Sequence, residues 1–167
     1  MDNNRIKITK LQYGLLEVDL DDNISVNEFN KILSDNGIEI IDDKEKILVE
    51  QIKIAVIELI HELNNVNSII RKSDYLVERL GMPYQKISKI FSANEPITLE
   101  RFIILNKIEK IKQMIIADEY SLFEISYLMD YNSVHYLSSQ FKKETGMTIS
   151  EFKKLKNKPL KSLDKLY

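Results

Sequence analysis

Hydrogen-bond donors and cations recur at two equivalent places in this chain. The pattern h-Ser-x-x-Phe-x5-h-Thr-x3-Phe, where h is an aliphatic residue or Met, begins at Ile87 and again, fifty residues later, at Leu137. The polar side chains that accompany the first copy are Tyr84, Gln85, Lys86, Ser88 and Lys89, and those that accompany the second are Ser133, His135, Ser138, Ser139, Lys142 and Lys143. Neither set contains an acid, so each is suited to donate hydrogen bonds to phosphates and base edges.

The repeat predicts one supersecondary unit that is used twice. Each copy follows a short apolar helix and a tight turn, and this order is typical of a helix-turn-helix motif. The second helix of each unit needs a buried stripe, which Ile87, Phe91, Leu137 and Phe141 provide. Small hydroxyls on the opposite side let such a helix sit deep, and lysines reach phosphates. We therefore predict two helices that each insert into the major groove of double-stranded DNA.

A long amphipathic helix is predicted between the two copies, from Thr98 to about Ala117. Its apolar residues fall on one face at Ile104, Ile108, Ile111 and Ile115. About twenty residues at about 1.5 Å each make a rod of roughly 30 Å. One turn of DNA is about 34 Å. Such a rod could hold the two inserting helices in successive major grooves.

Local start and stop signals bound the other helices of this region. Ser121 and Thr148 are each followed three residues later by Glu, which is the pattern of a capping box. The residues Asp130–Asn132 predict a turn, and Gly146 predicts the end of the second inserting helix. The segment Lys154–Tyr167 is basic and contains a proline, so we expect it to fray.

The first 65 residues have a different pattern. Alternation of apolar and polar residues over 5–20 predicts two short strands on either side of a glycine turn, and Ile38–Ile41 predicts a third strand. Ser25 is the expected N-cap of a helix that Gly37 ends. A long helix is predicted over residues 43–64, with apolar residues on more than one face.

The predicted fold class is mainly α. A small α+β domain, residues 1–65, with three short antiparallel strands plus helices, precedes an all-α double helix-turn-helix domain, residues 66–167. The charge divides at the same place: residues 1–65 carry 7 Lys or Arg and 14 Asp or Glu, whereas residues 66–167 carry 17 and 12. The first part is therefore acidic and the second basic, and only a basic part suits a polyanion.

Composition excludes several classes of site. Cys is absent, which excludes disulfides, thiolate zinc sites and cysteine nucleophiles. Neither His61 nor His135 has a metal-like histidine partner four residues away, and no phosphate-binding or nucleophile motif occurs. No apolar run approaches the roughly 18 residues of a membrane span, and the first residues lack a secretory signal. We therefore predict no enzyme activity, no cofactor, no metal, no membrane partner and a cytoplasmic location.

The residues between Ser73 and Lys156 are similar to those of a known family. The matching stretches are a first unit at Leu80–Phe91, a linker helix at Lys107–Ile115 and a signature segment at Ser121–Lys153. The most specific part is Phe141-Lys142-Lys143 followed by Gly146. Together they resemble the DNA-binding domain of AraC/XylS-type transcription regulators. The resemblance implies that both units bind double-stranded DNA, and it implies RNA polymerase as a further partner.

Four positions depart from that family. Asp130 stands where the family has Gly, so the turn would need a positive φ from an aspartate. Ser126 replaces a small Ala at a helix crossing, and Ile149 replaces the usual Pro. Ser139 replaces a frequent Arg or Lys, which removes a phosphate contact and predicts modest affinity for DNA.

Residues 1–65 resemble a truncated version of the ferredoxin-like, heavy-metal-associated fold. The metal function of that fold needs a Cys-x-x-Cys loop, and the chain contains no Cys. The missing first strand and helix would leave a sheet edge or face uncovered. A second copy of the chain could cover it and form a homodimer, or the long helix over residues 43–64 could cover it within one chain.

Two functions remain open at this point. The first is a sequence-specific regulator of transcription that binds double-stranded DNA with two helices in successive major grooves. The alternative is a helical protein-interaction module that keeps the fold without sequence-specific DNA binding. Ser139, in place of a basic residue, and the acidic first 65 residues favour the alternative.

Overall fold

The computed structural model of the chain describes residues 6–12, 15–21, 23–38, 43–62, 72–163 and 166–167. Two compact units are present, Met1–Ile54 and Ala55–Tyr167. The elements in chain order are β1 (Ile6–Gln12), β2 (Leu15–Leu20), α1 (Val26–Asp35), α2 (Lys44–Ile57), one π-helical turn (Glu58–Glu62), α3 (Lys72–Leu80), α4 (Tyr84–Asn94), α5 (Leu99–Ala117), α6 (Leu122–Leu128), α7 (Val134–Thr145) and α8 (Ile149–Lys154). The predicted fold class, mainly α with a small α+β part, is confirmed. The domain boundary predicted at 65/66 lies outside the described residues and stays a prediction.

The first unit contains two of the predicted antiparallel strands, and the glycine turn predicted between them lies outside the described residues. Strands β1 and β2 pair with Ile6 opposite Leu20, and the register shifts between Ile8 and Lys10. Among the described residues the sheet has these two strands. The third strand predicted at Ile38–Ile41 falls largely on residues 39–42, which lie outside the described part of the chain.

Helix α1 begins and ends at the predicted residues. The Ser25 hydroxyl accepts a hydrogen bond from the Glu28 amide at 3.2 Å. At the other end Gly37 has a φ of 75°, a left-handed conformation that glycine adopts without a steric penalty. The Ile38 amide then donates to the Leu33 carbonyl at 2.9 Å, as in a Schellman motif.

The same kind of local signal bounds the helices of the second unit. Ser121 and Thr148 each form a complete capping box at the starts of α6 and α8. Gly146 ends α7 with a φ of 77°, and Asp130 has the positive φ, 54°, that its turn requires. These four predictions are confirmed.

Helix α5 is the predicted rod between the two copies of the repeat. Its 19 residues correspond to about 28 Å, at about 1.5 Å per residue. Thr98 caps its start by accepting a hydrogen bond from the Arg101 amide at 3.1 Å. Ile108, Ile111 and Ile115 are buried in one hydrophobic core with residues of α6, α7 and α8, and the half-buried Ile104 packs against that core.

The two phenylalanines of each repeat copy pack in equivalent ways. The ring centroids of Phe91 and Phe102 are 5.3 Å apart, and those of Phe141 and Phe152 are 5.5 Å apart. All four rings are fully buried. The repeat in the sequence is therefore a repeat in the packing of α4 on α5 and of α7 on α8.

The end of the chain packs on the second unit, so the expectation that it frays is wrong for Leu166 and Tyr167. Leu166 is only 2% exposed. The Tyr167 ring meets the edge of Phe102 at 5.9 Å, and its hydroxyl donates to Glu95 Oε2 at 2.6 Å. Burial of Leu166, the ring contact of Tyr167 and this charge-assisted hydrogen bond oppose fraying.

His61 lies in the π-helical turn, which contacts α5. Lys110 Nζ donates to the His61 carbonyl at 3.1 Å. Burial, and then the Lys110 ammonium, lower the pKa of His61 below its usual 6.5, against weaker opposing effects of Gln113, Asn106 and Glu109. The folded protein therefore holds this imidazole in the neutral form more strongly than the unfolded chain does.

This difference predicts that the protein loses stability in mild acid. As the pH falls through about 6.5, His61 of the unfolded chain takes up a proton before His61 of the folded chain, and the loss ends below the lowered pKa. Urea denaturation across this pH range should show a smaller decline for His61→Gln. His135→Gln, which changes an exposed histidine, should decline as the wild type does. Equal declines in all three proteins would refute the assignment.

Candidate nucleic-acid interface

Helix α7 has a buried stripe and a polar stripe. Leu137 and Phe141 are fully buried. On other sides of the helix His135, Ser139, Lys142 and Lys143 are exposed, and Ser138 is half-buried. The exposed set contains donors of three kinds, imidazole, hydroxyl and ammonium, which suit base edges and phosphates.

Ser133 has a local role at the start of α7. Its hydroxyl accepts a hydrogen bond from the Tyr136 amide at 3.1 Å and so acts as the N-cap. The residue is exposed, and its hydroxyl proton is still able to donate. The amides of the first turn lie beside it, and helix N-termini favour phosphate.

Helix α4 carries the polar set of the first copy. Gln85, Lys86 and Lys89 are exposed, whereas Tyr84 and Ser88 are half-buried. Ile87 and Phe91 form the buried stripe beneath them. The predicted site residues of this copy therefore share one helix, but they differ in how much of each side chain is accessible.

An acid that the sequence-based prediction did not include lies beside α4. Glu100, in the first turn of α5, accepts a hydrogen bond from the Tyr84 hydroxyl at 3.1 Å and another from Ser88 Oγ at 3.3 Å. Burial, and then the Glu100 carboxylate, raise the pKa of Tyr84 to about 12. Tyr84 and Ser88 are thus engaged with a carboxylate, and the first copy does not present an acid-free surface.

A sequence signal for this difference exists in the repeat. The position of the second copy that corresponds to Glu100 is Ser150, and the one that corresponds to Tyr84 is Val134. Comparing the full copies, rather than the polar residues of each helix, would have identified the added acid.

Tyr131, which precedes α7, and Tyr136, in the first turn of α7, are aromatic. Their ring centroids are 5.8 Å apart, and Lys107 Nζ lies 4.8 Å from the centre of the Tyr131 ring. Burial raises the pKa of Tyr131 to about 12. Tyr136 is exposed and follows His135 directly, so it is a further candidate contact residue that the sequence-based prediction omitted.

An ion pair links the end of α7 to the start of α5. The Arg101 guanidinium contacts the Glu144 carboxylate, whose side chain is only 1% exposed. Gln140 Nε2 donates to the same carboxylate at 2.7 Å. Truncation of Arg101 would leave a buried charge short of a partner, so this pair holds α7 against the rod.

Two further features are absent from the described ranges. No group of three or more His, Asp or Glu side chains there is arranged to hold a metal ion. Nor is any helix in those ranges both long and apolar enough to cross a lipid bilayer.

The region built from α3 to α8 is similar to known proteins. Residues 76–155 match a family model described as a helix-turn-helix domain. This segment is therefore similar to helix-turn-helix domains. The xylose operon regulatory proteins of Escherichia coli strain K12 and of two further strains, O6:H1 and O157:H7, are 29% identical to the chain over 99 residues. That stretch is 59% of this chain and 25% of each relative. No solved structure matches the chain significantly.

The two matches support the class that the sequence predicts, a DNA-binding transcription regulator of the AraC type. The chain matches only a quarter of the length of these relatives.

The positions that depart from the family pattern are accommodated in the packing of this segment. Buried Ser126 satisfies its hydroxyl by donating to the Phe123 carbonyl at 2.7 Å. Ile149, in place of Pro, is buried at the start of α8 and joins the core. Ser139 is exposed on α7 and brings a hydroxyl where a basic side chain is frequent.

Proposed function

We propose that the chain is an AraC/XylS-type transcription regulator that binds specific double-stranded DNA through both copies of the repeat. The observation that carries the proposal is the exposed stripe of α7, formed by His135, Ser139, Lys142 and Lys143. It contains no acid and lies on a helix that Leu137 and Phe141 anchor in the core. A helix held in this way can enter the major groove at a defined angle.

The two kinds of side chain have separate roles in this proposal. Lys142 and Lys143 stand in the last turn of α7 and bind phosphates, which sets the register of the domain on the duplex. His135 and Ser139 contact base edges, and His135 lies in the first turn, the part of a recognition helix that reaches the bases.

In the first copy Gln85, Lys86 and Lys89 have the corresponding roles. The 19-residue α5, about 28 Å long, is close to the roughly 34 Å between successive major grooves on one side of the duplex. We infer that the two helices occupy successive grooves.

The remaining parts of the proposal extend beyond the helix-turn-helix domain. We propose a cytoplasmic, non-enzymatic regulator that has RNA polymerase as a further partner. Residues 1–65, as a truncated ferredoxin-like domain without the cysteines of a metal site, would form a homodimer contact.

Selection from a random-site DNA library at two salt concentrations tests the proposal. We expect an enriched motif of two half-sites about 10 bp apart. A plot of the logarithm of the binding constant against the logarithm of the salt concentration should fall with a slope of several units. Each phosphate contact contributes about 0.9 to the magnitude of that slope.

If the folded protein enriches no DNA sequence, that result would favour the alternative function, a protein-interaction module. Exposed Phe123 and Tyr127, which lie four residues apart on α6 and are 72% and 67% exposed, support that alternative. Aromatic residues at such exposure are more typical of contact surfaces than of solvated helix faces.

A further inference from the structure

A surface cleft lies beside α4, and Glu100 is among the residues that line it. Its volume is about 550 Å³. The residues that line it are Tyr84, Gln85, Ser88, Lys89, Ser92, Ala93 and Glu100. Four of these side chains, Tyr84, Gln85, Ser88 and Lys89, belong to the polar set of the first copy, so the cleft lies on that surface.

We propose that Glu100 is a base-specificity residue, whose carboxylate accepts a hydrogen bond from the exocyclic amino group of a cytosine in the first half-site. This inference rests on the proposed function. In the major groove the edge of cytosine presents that amino group as its donor, and carboxylates accept from it. Adenine also presents an amino group, but its neighbouring N7 is an acceptor that a carboxylate repels.

The carboxylate is held in place by two donors on α4. The hydroxyls of Tyr84 and Ser88 both donate to Oε1, at 3.1 Å and 3.3 Å. Within the described part of the chain, Oε2 receives no hydrogen bond, so it remains available as an acceptor. An acceptor whose orientation is already set loses less entropy when it binds a base than a freely rotating one does.

A carboxylate in this position also discriminates against other sequences. It repels the phosphates of any duplex, so it weakens non-specific binding. Only a site that supplies an amino group offsets this repulsion. Glu100 therefore increases the ratio of specific to non-specific affinity, although it does not increase the affinity for DNA in general.

The second copy shows that the fold does not need this acid. Ser150 occupies the corresponding position in α8, and Thr148 caps that helix as Thr98 caps α5. The phenylalanine pairs of both copies pack at similar distances, 5.3 Å and 5.5 Å. Glu100→Ser thus introduces the residue that the chain already uses in an equivalent structural context.

The test compares the full chain with Glu100→Gln and Glu100→Ser in the random-site selection and in titrations with non-specific DNA. We expect both variants to lose about tenfold of the preference for cytosine at one position of the first half-site. Both should bind non-specific DNA several-fold more tightly. Glu119→Gln removes one exposed carboxylate from the loop after α5, outside the cleft, and should change neither quantity.

The possible results separate this inference from the proposed function. An enriched motif whose base preferences are unchanged in Glu100→Gln and Glu100→Ser would overturn the role of Glu100 alone. Failure of the wild-type chain to enrich any motif would overturn both proposals. Melting curves check the fold of the variants, and an exposed side chain at this position should leave the melting temperature nearly unchanged.

Discussion

Truncating Glu109 to alanine is expected to destabilise the protein by about 3–5 kcal/mol, because it would leave a buried ammonium without its partner. Glu109 Oε1 lies 2.7 Å from Lys112 Nζ in the middle of α5, and the two side chains are only 4% and 9% exposed. The second oxygen of Glu109 accepts a hydrogen bond from the Lys161 amide at 3.0 Å. The variant therefore loses one ion pair and one contact with the C-terminal segment.

A double variant distinguishes the unpaired charge from lost packing. Replacing both partners, as Glu109→Leu with Lys112→Met, should change stability by far less than the single truncation, because no charge is left buried. Urea denaturation of Glu109→Leu, of Lys112→Met and of the double variant measures the coupling free energy between the two side chains. A loss below about 1 kcal/mol in Glu109→Ala would show that water reaches Lys112 in solution.

Removing both lysines from the last turn of α7 should weaken binding to all DNA sequences alike. In the proposed complex Lys142 and Lys143 contact phosphates. Each such contact contributes about 0.9 to the slope of the logarithm of the binding constant against the logarithm of the salt concentration. At about 0.15 M salt the double alanine variant should lose roughly 30-fold in affinity, and the slope should decrease by about 1.8. Titrations of specific and non-specific duplexes at several salt concentrations measure both effects.

Two controls test whether the effect arises from position or from charge. Lys44→Ala with Lys46→Ala removes the same charge from exposed positions in the first turn of α2 and should alter binding little. His135→Ala should relax the preference at one base position while non-specific affinity changes little. The opposite pattern, in which the lysines affect preference and His135 affects general affinity, would show that the contact face of α7 is rotated from our assignment.

Much of the region from α3 to α8 could be predicted from the sequence because its signals are local. Ser121 and Thr148 cap their helices with groups three residues away. Gly146 and Asp130 end their helices through their own backbone angles. The periodic isoleucines of α5 mark the buried face of that helix, since helical periodicity alone decides which residues share a side.

Features that depend on contacts between distant parts of the chain were decided by tertiary packing. Tyr167 donates a hydrogen bond to Glu95, which precedes it by 72 residues, and no local pattern in the sequence predicts that contact. Glu100 belongs to α5, and only the packing of α5 against α4 brings it to the hydroxyls of Tyr84 and Ser88. Composition and periodicity identify the helices and their inward faces, whereas the neighbours of an exposed or charged side chain follow from how those helices pack.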